Sequence, residues 1–183
     1  ANGGNASDGT ITGNVAFSKG GNAVMAVYTP QTYTGPTQIV TGTVSLRDYG
    51  AITGTSGIAL NYASLTLDNT GAADMSGRLG TVPLTLRGGF LTYNGRAQTA
   101  STESIGAVSL AQGWNQINAA AGGTGVNSAD LTLASLTRSV GSNAVVNFAN
   151  GGTAIINGQI GSGQPRVMVT AAPTLTNNLI GPW

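Results

Sequence analysis

The sequence predicts an all-β chain coiled as a right-handed parallel β-helix, a β-solenoid of about eight coils. Three observations carry this expectation. A tripeptide of one type, aliphatic then hydroxyl then leucine, recurs at Val44 to Leu46, Leu65 to Leu67, Leu84 to Leu86, Val108 to Leu110 and Leu131 to Leu133, with starts 21, 19, 24 and 23 positions apart. The composition is that of a chain that folds with few charges: 40% apolar and 7% charged residues, 29 Gly and 24 Thr among 183 positions, and a formal charge of +1. A disordered chain would combine low hydrophobicity with high net charge. No segment shows a 3.6-residue apolar period, and the helix formers Glu and Lys occur once each.

Each triplet is a period-two signal, two aliphatic side chains on one face and a small hydroxyl on the other. Thr suits a pleated surface, while the Gly, Asn and Asp between the triplets favour turns. One coil is read from Thr32 to Leu46: "TYTG" a strand edge and turn, "TQIV" a short strand, "TG" a corner, and "VSL" the first rung of the ladder. Further on, "RGGF" from Arg87 reads as a turn between two strands, and secondary strands are expected at "FLTYNG" from Phe90, "NQINAA" from Asn115 and "AVVNFA" from Ala144. A coil of roughly 22 residues cannot bury its apolar face alone, but stacked at about 4.8 Å on a copy it pairs its backbone above and below. About eight coils would give a rod about 40 Å long. The expected structural ladder is Val44, Leu46, Leu65, Leu67, Leu84, Leu86, Val108, Leu110, Leu131 and Leu133, leucine on leucine inside and hydroxyl on hydroxyl outside. A β-sandwich is the competing plan, since it too places short strands at regular spacing.

The same residues narrow the function. One lysine and six scattered arginines make no basic stripe, so nucleic acid is not an expected partner. No cysteine means no disulfide or thiolate chemistry, and no histidine means no Ser-His-Asp triad and no imidazole metal site. No apolar run approaches the roughly 20 residues of a membrane helix. The amino-terminal "ANGGNASDGT" is no signal peptide. Residues 1–183 are therefore read as a single solenoid segment of a longer exported chain.

The stretch "QTYTGPTQIVTGTVSL" resembles the autotransporter-associated β-strand repeat of very large secreted or surface proteins of bacteria. The match runs through Thr32, Tyr33, Thr34, Gly35, Thr37, Val40 and Val44 to Leu46, with Gln31 where the family usually has Asn. Downstream, "ESIGAVSLAQGWNQINAAAGG", "LTLASLTRSVGSNAVVNF" and "APTLTNNLIG" are similar to stretches that follow in such proteins, so the resemblance spans about two thirds of the chain. It implies a parallel β-helix exposed outside the cell, with Tyr33 in a structural position, and it brings no catalytic residues.

Six carboxylates offer one possible cluster, Asp68 and Asp74 with Arg47, Arg78 and Arg87. A polysaccharide-cleaving β-helix enzyme needs two acids facing across a sugar; the plainer reading is a charge ladder in which Arg47, Asp68 and Arg87 alternate up one face. "GGTGVN" at Gly122 to Asn127 is similar to a calcium-binding nonapeptide, but occurs once and has Asn127 where Asp is expected. "RGGF" is similar to nucleic-acid-binding RGG segments, which come in clusters, and "NAS" at Asn5 is a lone glycosylation sequon. Tyr28, Tyr33, Tyr49, Tyr62, Tyr93, Trp114 and Trp183 could form a carbohydrate-stacking row. Most are explained as strand or turn packing, and Trp114, between Gly113 and Asn115, is the candidate surface-contact residue. The expectation is thus a non-enzymatic structural protein without cofactors, extracellular or on the cell surface, forming a fibre, spacer or coat component. Its expected partner is itself, as a homopolymer or through a continuing chain. The alternatives are an adhesin that binds carbohydrate or a cell surface, and a polysaccharide-degrading β-helix enzyme.

Overall fold

The computed structural model describes residues 9–122, 128–149, 165–171 and 173 in full, and the backbone of 5–7, 150, 153–154, 175–176 and 179–180. All of its regular structure is β, arranged in two large sheets and two two-stranded ones. The first runs β1 (Asn5–Ser7), β4 (Val24–Val27), β7 (Thr43–Arg47), β9 (Ser64–Asp68), β11 (Phe90–Asn94), β13 (Trp114–Ala120), β15 (Val145–Asn150) and β16 (Thr153–Ala154). The second runs β3 (Phe17–Lys19), β6 (Thr37–Ile39), β8 (Ile58–Asn61), β10 (Leu84–Arg87), β12 (Ala100–Gln112), β14 (Ser128–Arg138) and β17 (Pro165–Ala171). The chain alternates between them, so each pass lays one strand on each sheet. A short third edge pairs β2 (Thr12–Gly13) with β5 (Thr32–Tyr33) and continues as the Pro30 to Ala51 bridge; β18 (Leu175–Thr176) pairs with β19 (Leu179–Ile180).

Pairing within both large sheets is parallel apart from β15 with β16. This excludes the antiparallel sandwich that regular strand spacing also allowed. The strands fall where the triplets and secondary segments place them, and "RGGF" is the turn joining β10 to β11.

The triplets do not form one ladder. Val44 and Leu46 stack on Leu65 and Leu67 in the first sheet, and these stack on Leu91 and Tyr93. Leu84 and Leu86 stand in the second sheet, between Ile58 and Leu60 on one side and Val108 and Leu110 on the other. Leu131 and Leu133 lie over Glu103 and Ile105 and under Val167 and Val169. The reason is that the first two triplets lie on β7 and β9 of the first sheet and the last three on β10, β12 and β14 of the second, so the distance from one triplet to the next is not the length of a coil. All ten residues are nevertheless at most 2% exposed, and the facing inner rows of the two sheets are the core. Burying each such side chain contributes roughly 1.5–3 kcal/mol before conformational entropy is charged against it.

The coil also lengthens along the chain. Thr37 pairs with Ile58, 21 positions on; Ser64 pairs with Phe90, 26 on; Ala129 pairs with Pro165, 36 on. The expected 22 residues describe only the early coils. In β12 and β14, of 13 and 11 residues, the corner between the third edge and the second sheet has straightened into continuous strand. At the opposite end of the second sheet Lys19 occupies the ladder position continued by Ile39 and Leu60. Its ammonium donates to the carbonyls of Gly20 (2.9 Å) and Gly21 (2.7 Å), which lets a buried cation close an aliphatic row.

Candidate functional site

The charged residues singled out by sequence separate on folding. Arg47 does stack on Asp68, at 3.8 Å, but the next residue in that column is Asn94, not Arg87. Arg87 stands on the other sheet between Asn61 and Gln112, so the three-residue charge ladder is corrected to one ion pair. Asp68 is buried and accepts from the backbone N–H (2.9 Å) and hydroxyl (2.7 Å) of Thr70, capping a turn. Asp74 is exposed and takes the Asn69 amide at 2.6 Å. Two such acids, one engaged inside and one outside, do not present the facing pair that the hydrolase alternative requires.

Arg78 lies where that cluster was expected to open, and it is fully buried. Its guanidinium donates to the Gly50 carbonyl (2.8 Å), the Asp68 carbonyl (3.1 Å) and Asn69 Oδ1 (2.7 and 3.0 Å), tying together three segments of the chain. Burial pulls its pKa down from the usual value, opposed chiefly by the nearby Glu103. Glu103 itself is 1% exposed; its Oε1 accepts the Arg78 backbone N–H at 3.0 Å, and Oε2 has no hydrogen-bond partner. Burial pushes its carboxyl up to about 7, against the pull of the Arg78 guanidinium and of backbone N–H groups. An acid that is half protonated near neutrality explains how Oε2 tolerates its site, since a protonated carboxyl is cheaper to bury than a carboxylate. Tyr93, whose hydroxyl accepts from Asn69 at 3.3 Å, is raised mainly by burial. The cluster is an internal clamp, closed to a ligand.

The outward-facing chemistry lies at the corner where the second sheet turns into the first. There the backbone crosses into positive φ on successive coils, at Gly42 (φ 70°), Tyr62 (φ 53°), Gly88 (φ 69°) and Gly113 (φ 68°). Tyr62, the one non-glycine of the four, is held by what lies beneath it: a Cβ on Gly88 would fall 2.7 Å from its ring carbons, so the ring rests on bare backbone. Its hydroxyl accepts from Gln112 Nε2 at 3.2 Å, two coils away. The ring stays 68% exposed.

Trp114, the sequence candidate, belongs to the same corner and is 50% exposed. It meets Phe90 edge to face, centroids 5.3 Å apart at 71°. Beneath it the buried Asn115 acts as a bracket. Its Oδ1 accepts from Gly89 N (3.0 Å), and its amide donates to the carbonyls of Gln112 (3.1 Å), Gly113 (3.0 Å) and Val145 (3.1 Å). The corner is therefore pinned over three coils. Of the other aromatic candidates, Tyr33 and Tyr93 are buried, Tyr28 is half-buried and Tyr49 is exposed in a different turn, after β7; Trp183 lies outside the described residues, as does the glycine-rich segment from position 123. Among the described residues no single row of aromatics forms. Sequence reasoning set Tyr62 and Trp114 in one possible row but set Arg87 in a charge cluster apart from them, because the strand pairing that brings Arg87 to this corner leaves no mark in the sequence.

Among the described residues no helix is long and apolar enough to cross a membrane. Set against known protein families, curated proteins and solved structures, the chain matches none.

Proposed function

We infer that the chain is a structural β-solenoid segment, a right-handed parallel β-helix of seven or eight coils, and that it acts by shape as an extracellular or cell-surface spacer or fibre component. The observation that carries this reading is the register: like side chains stack through successive parallel strands of both sheets, as from Ile39 through Leu60 and Leu86 to Leu110. A stack of this kind transmits length and stiffness, and its end strands invite further coils, from the same chain or from another copy. The low charge of the surface offers little repulsion to such contact.

Electron microscopy and fibre diffraction of the native material test the reading. Thin fibres with a meridional repeat near about 4.8 Å are the expected result, because the strands would run across the fibre axis. Dispersed round particles, together with a purified chain that stays monomeric at high concentration, would overturn the fibre role.

A further inference from the structure

Of the seven basic residues, six are engaged. Lys19, Arg78, Arg96 and Arg138 donate to backbone carbonyls, Arg47 faces Asp68, and Arg166 forms a two-pronged pair with Asp130. Arg87 is the exception among the described residues: exposed, with no hydrogen bond or ion pair from its guanidinium. It stands at the aromatic corner, on the outer face of β10, between Asn61 and Gln112 on the neighbouring coils and immediately before Gly88, on which the Tyr62 ring rests. No acidic residue occurs at positions 61–62, 87–90 or 112–116. One strip thus brings together exposed ring surface at Tyr62 and Trp114, amides at Asn61 and Gln112, and one unneutralised guanidinium.

We propose that this corner is a binding strip for a carboxylated polysaccharide, with Arg87 pairing a uronate carboxylate while Tyr62 and Trp114 stack on sugar rings. A planar guanidinium matches a carboxylate with two parallel hydrogen bonds. The rings offer flat apolar area to the C–H faces of a pyranose, and the amides offer donors and acceptors to its hydroxyls. Two coils separate Tyr62 from Trp114, roughly 10 Å along the stack, a length that a disaccharide covers. A denser polyanion such as nucleic acid fits poorly, because its affinity comes from many cations releasing many counterions and the strip carries one. The strip is also rigid before binding: Asn115 fixes the backbone at Trp114, and Gln112 holds Tyr62, so little ordering cost remains to be met.

The test uses polygalacturonate as probe and the full chain carrying Trp183→Phe, which leaves Trp114 as the sole tryptophan reporter. Titration is expected to give a saturable change in Trp114 emission that weakens with added salt. Arg87→Gln should weaken binding at least tenfold and Arg87→Lys less, and neutral dextran should bind far more weakly than polygalacturonate. Because Arg87 is exposed and unpaired, its variants should keep the circular dichroism spectrum and melting temperature of the parent, so they decide the matter even if Tyr62→Ala fails to fold. No saturable response, equal affinity in Arg87→Gln, equal binding of dextran, or stronger binding to phosphatidylglycerol vesicles would each overturn the proposal.

Discussion

At the scale of single residues, four charged side chains, Lys19, Asp68, Arg78 and Glu103, are buried. Glu103 is the sole glutamate, and the fold buries it against the backbone of Arg78 with one oxygen unsatisfied. Its carboxyl rises from the ordinary 4.5 to about 7, so between those values the folded protein holds a proton that the unfolded chain has lost. The stability tied to that proton is present in full below about pH 4.5 and is lost as the pH rises through about 7. Its size is on the order of 3 kcal/mol. Glu103→Gln, which mimics the protonated acid, should flatten the stability profile from pH 5 to 8 and make the variant the more stable protein at pH 8. Urea unfolding across that range measures it, and a variant that keeps the parent's slope would refute the assignment. Sequence could single out Glu103 only as one of six acids. What makes it different is its turn inward at a ladder position that Leu131 occupies on the next coil, and that register is a property of the stacked chain.

At the scale of the element, the short strands were legible because each writes its two faces into three letters. The triplets, "FLTYNG", "NQINAA" and "AVVNFA" all lie on strands, and their inward positions form the core. Which sheet each strand joins was not legible, since both sheets use the same alternation and only the turns decide between them. Those turns depend on close approach. A Cβ on Gly50 would lie 1.9 Å from the Val27 carbonyl oxygen of the coil below, a contact only glycine avoids. Gly50→Ala should therefore lose about 2 kcal/mol or more, within the range of severe single substitutions. Gly20→Ala, where nothing lies within 4 Å, should change stability by under about 0.5 kcal/mol. Equal melting temperatures for the two variants would show that the corner yields where the packing says it cannot.

At the scale of the whole molecule, each strand of the large sheets touches little beyond the coil above and the coil below, so stability should be graded along the stack. Hydrogen exchange is expected to be slowest in β8 to β11, with coils on both sides, and fastest at β3 and β17, the outer strands of the second sheet. Uniform protection from end to end would mean a single cooperative unit instead. The sequence gives the stacking plan through its repeat, but not the lengthening of the coil from 21 to 36 positions, because the later coils gain residues without a new triplet.

That lengthening makes the two outer edges of the described stack unlike. Among the described residues the second sheet runs from the three residues of β3 to the seven of β17. A copy arriving head to tail would set a broad edge against a narrow one and leave much of the broad edge's backbone without a mate. Contact between identical segments would then be directional, narrow edge against broad, whereas coils that follow one another in a single chain can each meet a template close to their own width. The taper thus gives growth of the stack, by winding or by recruitment, a direction.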